Sequence, residues 1–178
     1  MRIVGGKHRG RVLAEFKGRE IRPTSDRARE ALFNILAPAI AGAGVLDLFC
    51  GSGAVGLEAL SRGAGRVVFN DVSKDSLAVL RKNLALLGER AEVYNLDFRM
   101  LLARGGEPFD FIFIDPPYKS GFGREALSLI AEKGMLAAGG VAVLESDAPF
   151  EGGIRGLERT DARRYGIAHL TFFSRCEE

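Results

Sequence analysis

Four aspartates stand at or near the ends of apolar runs, where their side chains could bind a polar ligand. Asp47 lies inside the first run, Asp71 ends the second, Asp97 follows the third and Asp115 ends the fourth. If these runs are parallel strands, the aspartates share the edge of the sheet at which ligands bind. A carboxylate after the second strand can accept hydrogen bonds from both ribose hydroxyls, and one after the third can reach the exocyclic amine of adenine. The set predicts a ligand with an adenosine part.

A glycine turn follows the first of these runs. Gly51 and Gly53 separate the apolar residues 45–49 from a run of helix formers that starts at Ala54. Such a turn lets a ligand approach the backbone, and the free amides of the helix N-terminus can bind an anionic or polar group. Turn formation or helix capping is the alternative; it would explain any single aspartate, but it explains three of them in register with this turn less well.

The glycines alone do not identify the adenosine ligand. Gly51, Gly53 and Gly56 match the dinucleotide pattern GxGxxG, and Asp71 follows at about the expected distance, so an NAD-dependent oxidoreductase stays open. Two features argue against it. Asp47 precedes the turn, as in sites for sulfonium ligands, and the fourth strand ends in the sequence DPPY, residues 115–118.

The elements that must hold these residues alternate regularly from Gly44 onwards. Apolar runs separated by helix-forming segments predict parallel strands joined by right-handed crossovers, which is an α/β, doubly wound, mostly parallel sheet of seven strands. The last two runs, joined at Gly166, predict an antiparallel edge hairpin. The predicted strands are 45–49, 66–71, 91–95, 109–115, 140–145, 157–165 and 167–174, and the predicted helices are 54–62, 74–87, 99–103 and 123–133.

The N-terminal segment is basic and precedes the alternating part of the chain. Residues 1–30 hold nine Lys or Arg against four acidic residues, about +5, which leaves about −3 for the rest. Residues 2–13 predict a short strand pair. A helix should follow, capped by Thr24 or Ser25 and ended by Pro38, with a buried face of Ala28, Ala31, Leu32, Ile35 and Leu36. Either a polyanion binds this arm or its charges are simply solvated.

Composition restricts the class of protein. The 178 residues, 47% of them apolar, suffice for one compact domain, with 1–40 as the basic extension and 41–178 as the ligand-binding domain. No run approaches the length of a membrane helix, and the N-terminus lacks a secretory signal, so we expect a cytoplasmic location. Cys50 and Cys176 suggest neither a metal cluster nor a disulfide framework, and we expect no metal.

Beyond these patterns, the chain resembles a known family over nearly its whole length. DLFCGSG followed by DPPY is similar to the class I S-adenosylmethionine-dependent methyltransferases that modify exocyclic amines. MRIVGGKHRGR, IRPTSDRAREALFNIL, GLEALSRGA and RRYGIAHLTFF resemble the bacterial 16S rRNA guanine-N2 methyltransferases of the RsmD type. Many amine methylases share DPPY and the glycine turn, whereas RPTSDRARE is much more specific to this family. One departure is Asn70-Asp71, where many relatives carry glutamate at the end of the second strand; aspartate can still bind a ribose.

The resemblance implies a role for each matching residue. Asp47, Gly51 and Gly53 would line the methionine end of S-adenosylmethionine, Asp71 its ribose, and Asp97 with Phe98 its adenine. Phe49, Val72 and Asp115 complete the expected cofactor-binding set. The expected catalytic residues are Asp115, Pro116, Pro117 and Tyr118, and the expected RNA-binding residues are Lys7, Arg9, Arg11, Arg22, Thr24, Arg27 and Arg29.

The implied partner is 16S rRNA or the assembling small ribosomal subunit, bound by a monomer. Two alternatives remain open from the sequence. One is a methylase of the same chemistry acting on adenine N6 in DNA or RNA. The other is the NAD-dependent oxidoreductase, or a nucleotide-binding module without catalysis.

Overall fold

The buried runs lie side by side in a seven-stranded sheet in the computed structural model, which describes residues 1–16 and 26–176. The helices are α1 (Asp26–Ile40), α2 (Ala54–Ser61), α3 (Lys74–Leu87), α4 (Phe98–Ala103) and α5 (Phe122–Glu132). The strands are β1 (Gly44–Asp47), β2 (Arg66–Asn70), β3 (Glu92–Tyr94), β4 (Phe109–Ile114), β5 (Leu136–Ser146), β6 (Leu157–Tyr165) and β7 (Ala168–Arg175). This architecture confirms the predicted fold class.

The order of the strands determines where a ligand can bind. The sheet runs β3-β2-β1-β4-β5-β7-β6, and its first five strands are parallel. The chain moves outward from β1 to β3 and then returns to the other side of β1 as β4. In such sheets, ligands bind at this reversal point, beyond the carboxyl ends of the strands. The ends of β1 and β4 therefore mark the expected site.

Alternating side chains of the central strands build a core on each face of the sheet. Val45 of β1 and Phe111 of β4 pack with helices α1, α2 and α3, and Phe33 of α1 meets the Phe111 ring edge-on at 6.2 Å. On the other face, Leu46 and Ile112 pack with α4 and α5. Because both faces are covered, the central strands are mostly apolar, as buried parallel strands usually are.

Helix α1 differs from its prediction at two points. Pro38 does not end the helix, which continues to Ile40; that residue is 1% exposed, so its packing in the core holds the last turn. Ile35 is 37% exposed and does not belong to the buried face. Phe33, which the sequence analysis left out, is buried instead. Ala31 is half-buried, and the predicted caps Thr24 and Ser25 lie outside the described residues.

Two strand boundaries differ from the prediction by more than one residue. Strand β1 ends at Asp47 and not at residue 49, because Leu48 and Phe49 already form the turn. Strand β5 begins at Leu136, before the predicted start at residue 140. Gly139, with φ 73°, lies where the β4–β5 register shifts, so these residues form an irregularity within the strand.

The hairpin predicted at the end of the chain is confirmed. Strands β6 and β7 are antiparallel and turn at Gly166, which has φ 63°. Strand β7 lies between β5 and β6, so β6 forms the edge. The N-terminal pair is shorter than predicted, with a single bridge between Arg2 and Val12. No helix in the described part of the chain is long and apolar enough to cross a membrane.

Candidate cofactor and amine site

A cavity of about 500 Å³ opens at the carboxyl ends of β1, β2 and β4, within the size range of small-molecule sites. The glycine turn and the DPPY turn both line it, so the two corners face one cleft. Most of the residues expected to bind cofactor or to act in catalysis are in its lining: Asp47, Phe49, Gly51, Asp71, Val72, Asp97, Phe98, Asp115, Pro116, Pro117 and Tyr118.

Gly53 is the one member of that set that does not line the cavity. It precedes α2 with φ 93°, and a Cβ there would stand 2.4 Å from Cδ1 of Leu80. Its glycine is therefore required by the turn and by packing, and the expected contact of Gly53 with the ligand stays a prediction. Gly51 differs, because a Cβ at that position, with φ 54°, would meet no atom within 4 Å. The open space above Gly51 suits close approach of a ligand to the backbone.

Asp47 supports the glycine turn from beneath. Its side chain is 2% exposed, and Oδ2 accepts a hydrogen bond from the amide of Gly56 in α2 at 2.9 Å. Burial raises the pKa of Asp47 to about 7; the Gly56 amide opposes the rise, and the nearby Asp71 carboxylate adds to it. A cation bound above the turn would favour the ionised form of this carboxyl.

Asp71 joins the ends of β1 and β2. One carboxylate oxygen accepts from the amide of Gly51 and the other from the amide of Ser73, both at 2.8 Å. Because each carboxylate oxygen has a second lone pair, Asp71 can still accept from ribose hydroxyls. The buried Asn70 donates to the carbonyls of Leu48 and Leu96 at 3.2 and 3.1 Å, so it fixes the ends of three neighbouring strands. The unexpected Asn70-Asp71 pair therefore has a structural role, because both side chains hold the ends of neighbouring strands together.

Aromatic rings form the wall next to Asp97. Asp97 caps α4 by accepting from the amide of Arg99 at 2.9 Å. Phe98 is buried, and its ring centroid lies 5.1 Å from that of Phe49 and 5.4 Å from that of Phe122. Asp97 offers a hydrogen-bond acceptor beside an apolar surface, which fits the adenine end of the expected cofactor. Phe122 was not predicted, because it is the first residue of α5 and lies far from Asp97 in the sequence.

The DPPY turn contains a second carboxyl of the cavity whose pKa is raised. Asp115 follows β4, and its burial, together with repulsion from Glu145 and Asp47, raises its pKa well above the ordinary value. The β4–β5 register pairs Ile114 with Leu144, so Glu145 stands next to Asp115 on the neighbouring strand. Glu145 is 3% exposed. Its position at the end of an apolar strand, like that of the four aspartates, was the signal that the sequence analysis did not use.

Tyr118 and Val72 form the exposed rim of the cavity. Their side chains are 41% and 67% exposed, although both are large and apolar or aromatic. Rings and aliphatic groups left open beside a polar cleft are typical of surfaces that receive a flat ligand.

Those residues expected to bind RNA that the structure describes do not line this cavity. The turn that carries Lys7 and Arg9 packs on the C-terminal end of α2, where the amide of Lys7 donates to the carbonyl of Ser61 at 2.8 Å. Lys7 also pairs with Glu89, just after α3, at 2.6 Å. Because α2 and α3 both start at the cavity, their C-terminal ends lie at the opposite edge of the sheet. Arg9, Arg11 and Arg27 are exposed, and Arg22 and Thr24 lie outside the described residues.

Arg29 corrects one of these expectations. It is 1% exposed, and its guanidinium donates to the carbonyl of Arg2 and to Asp26 and lies 3.6 Å from the buried Glu58. Glu58 also accepts from the amide of Val4 at 2.9 Å. Arg29 therefore fixes the N-terminal segment to α2 and cannot contact RNA phosphates.

No metal site is found in the described ranges 1–16 and 26–176, since no three His, Cys, Asp or Glu side chains there could hold one ion. Cys50 is 7% exposed, and burial raises the pKa of its thiol, as expected for a small buried hydrophobe.

Comparison with known proteins agrees with this geometry. Residues 1–174 match the family described as Conserved hypothetical protein 95. The chain is 43% identical over 148 residues to the Escherichia coli (strain K12) protein named Ribosomal RNA small subunit methyltransferase D, covering 83% of this chain and 75% of that protein. It is 35% identical over 182 residues to YlbH of Bacillus subtilis, covering 98% and 99%.

A solved structure gives the same result. The Escherichia coli protein yhhF superposes with a TM-score of 0.89 at 37% identity, covering 98% of this chain and 97% of that one. These matches to methyltransferases favour S-adenosylmethionine over NAD, the two ligands that the glycine pattern left open. The chain belongs to the Conserved hypothetical protein 95 family, the RsmD family of S-adenosylmethionine-dependent methyltransferases.

Proposed function

We propose that this protein transfers a methyl group from S-adenosylmethionine to the exocyclic N2 of a guanine in 16S rRNA. The observation that carries the proposal is the single cleft between the glycine turn and the DPPY turn, where Gly51 and Pro116 line the same cavity. The bound cofactor supplies an electrophilic methyl group on a sulfonium. The chain's own residues must then present an amine nitrogen to that methyl.

The DPPY turn has the acceptors that this task requires. The lone pair of guanine N2 is delocalised into the ring, so the site must favour a pyramidal nitrogen. The Asp115 carboxylate and the Pro116 carbonyl can each accept one amine hydrogen, which directs the lone pair away from both acceptors and towards the cofactor side of the cleft. Tyr118, on the exposed rim, can stack on the extruded base.

The proposed transfer depends on the charge state of Asp115. A neutral carboxyl would donate its proton, whereas an ionised one accepts from the amine and stabilises the positive charge that develops on nitrogen. Because burial, Glu145 and Asp47 raise the pKa of Asp115, the active form is favoured as the pH increases. We therefore propose that the rate of transfer increases with pH until Asp115 is ionised.

The names of the relatives and the charge of the N-terminal segment support the proposed substrate and its setting. The Escherichia coli relative is named for ribosomal RNA of the small subunit. Exposed Arg9 and Arg11 would hold RNA phosphates far from the guanine, on a substrate large enough to reach both edges of the sheet. We place the reaction in the cytoplasm, with a monomer acting on 16S rRNA or on the assembling subunit.

The test is methyl transfer to rRNA that lacks the modification. With labelled methyl donor, digestion of the product should yield N2-methylguanosine from one position. Asp115→Ala should lower kcat about 100-fold to 1000-fold, as loss of a transition-state acceptor does, while cofactor affinity persists. Asp110→Ala is the matched control on the same strand, because Asp110 binds the amide of Gly44 at the opposite edge.

Three results would contradict the proposal. N6-methyladenosine in the digest would move the reaction to adenine. Turnover by Asp115→Ala at the wild-type rate would remove the DPPY turn from the mechanism. Tight binding of NAD in place of S-adenosylmethionine would restore the oxidoreductase alternative.

A further inference from the structure

The tip of the β6–β7 hairpin, residues 163–169, lies at the same edge of the sheet as the cavity. Strand β7 runs antiparallel to β5, and its His169 pairs with Ser146, the last residue of β5. Asp115 lies beyond the end of β4, next to β5. Since neighbouring strands are about 4.8 Å apart, the tip stands roughly 10 to 15 Å to the side of Asp115.

The tip is basic and exposed. It contains Arg163, Arg164 and His169 with no acidic residue, and the wider segment 155–175 has five arginines against two acidic residues. Both tip arginines are exposed, as is half of the Ile167 side chain at the turn. A surface of this charge, with an apolar group at its centre, suits a polyanion that also carries bases.

The tip is also held rigidly. Arg164 Nε donates to the carbonyl of Gly166 at 2.8 Å, and Arg163 Nε donates to Asp161 at 2.8 Å. Each bond uses one of the five donors of a guanidinium, so both groups retain donors for a phosphate. Tyr165 packs against the core, and eight register pairs join β6 to β7. The pairing of β6 with β7 therefore holds both arginines in fixed positions.

Three basic residues of the N-terminal segment lie where they cannot contact RNA at the cavity, which makes the hairpin tip a candidate for that contact. Lys7 and Arg9 lie at the opposite edge of the sheet, and Arg29 is buried. They cannot bind the nucleotides next to a guanine at Asp115. Among the described residues, the exposed arginines of the hairpin tip supply positive charge at the reactive edge.

We propose that the hairpin tip is a second RNA-binding surface, which contacts the phosphates flanking the target guanine on the β5 side of the cleft. The inference rests on the proposed function, because it assumes that the guanine of an RNA enters at the DPPY turn. It assigns a binding role to the RRYGIAH stretch, residues 163–169. The RNA then bridges the tip and the N-terminal segment across the sheet.

The test measures RNA affinity and methyl transfer by the full-length protein between about 50 and 200 mM salt, with rRNA lacking the modification. For the double variant Arg163→Ala and Arg164→Ala, the slope of log affinity against log salt should fall in magnitude by about 1.4, two contacts at about 0.7 each. The KM for RNA should rise about tenfold near 0.15 M salt, which is the same electrostatic effect. The affinity for S-adenosylmethionine should not change, and this also verifies the fold.

Arg164→Glu and Lys133→Glu provide a pair matched in charge. Each changes the net charge by two units, but Lys133 follows α5 at the opposite edge of the sheet. Only Arg164→Glu should weaken RNA binding. If both variants weaken it equally, or if the double variant keeps the wild-type KM and salt slope, the second surface is refuted while the proposed function stands. If the wild-type protein transfers no methyl to rRNA guanine, the proposed function fails and the inference falls with it.

Discussion

Binding of S-adenosylmethionine should release a proton from Asp47. In the free protein this buried carboxyl has its pKa raised to about 7, chiefly by burial. A sulfonium cation bound near the glycine turn favours the ionised form and so lowers that pKa. The protonated protein must lose its proton to bind, which means that affinity falls as the pH falls through about 7 and is constant well above it.

The size of the effect follows from that pKa. With a pKa of about 7, roughly half of the free protein is protonated at pH 7 and about nine tenths at pH 6. If the bound form stays ionised over this range, Kd should increase about fivefold between pH 7 and pH 6 and about tenfold more for the next unit.

Titration calorimetry measures both the affinity and the proton release. Near pH 7, the binding enthalpy should vary with the ionisation enthalpy of the buffer, with a slope of about half a proton. Asp47→Asn is the control, because an amide oxygen can still accept from Gly56 but does not titrate. Any titration of the ligand itself is common to both proteins. A wild-type Kd that is constant from pH 6 to pH 8, or that varies as in Asp47→Asn, would refute this reasoning.

Two further predictions concern the N-terminal segment. Replacing Arg9 and Arg11 with alanine should lower the salt slope of RNA binding by about 1.4 without changing cofactor affinity; an unchanged slope would assign them no phosphate contact. Glu58→Gln keeps an acceptor for Val4 but removes the charge beside the buried Arg29. The free energy of unfolding should therefore fall by about 3 kcal/mol. The midpoint of urea unfolding should fall by about 1 M. Adding Arg29→Met should recover most of that loss, and a single variant as stable as wild type would mean that the pair is not coupled.

The residues at the cofactor edge of the site were predictable because each one lies in or near a strand that its own neighbours in the sequence identify. Asp47, Gly51 and Asp71 each stand directly after or within an apolar strand, and parallel strands bring such positions to one edge. The DPPY turn follows the same rule. These features needed only the strand order, which the alternation of strands and helices indicates.

The rest depended on contacts between distant parts of the chain. Gly53 has the same residue type as Gly51, and only the packing of Leu80 shows that it faces the core. Arg29 looks like an exposed arginine of a basic arm, but Glu58, far along the chain, provides its buried partner. Sequence charge likewise cannot show that the turn around Lys7 docks on Ser61 at the edge away from the cavity.

A crystal structure with S-adenosylhomocysteine shows most directly whether a methyl donor and an amine can meet between the glycine and DPPY turns. We expect the ribose within hydrogen-bond distance of Asp71, the adenine beside Asp97 and Phe98, and the sulfur facing Asp115 and Pro116. A ligand bound elsewhere, or one whose sulfur points away from the DPPY turn, would contradict this expectation.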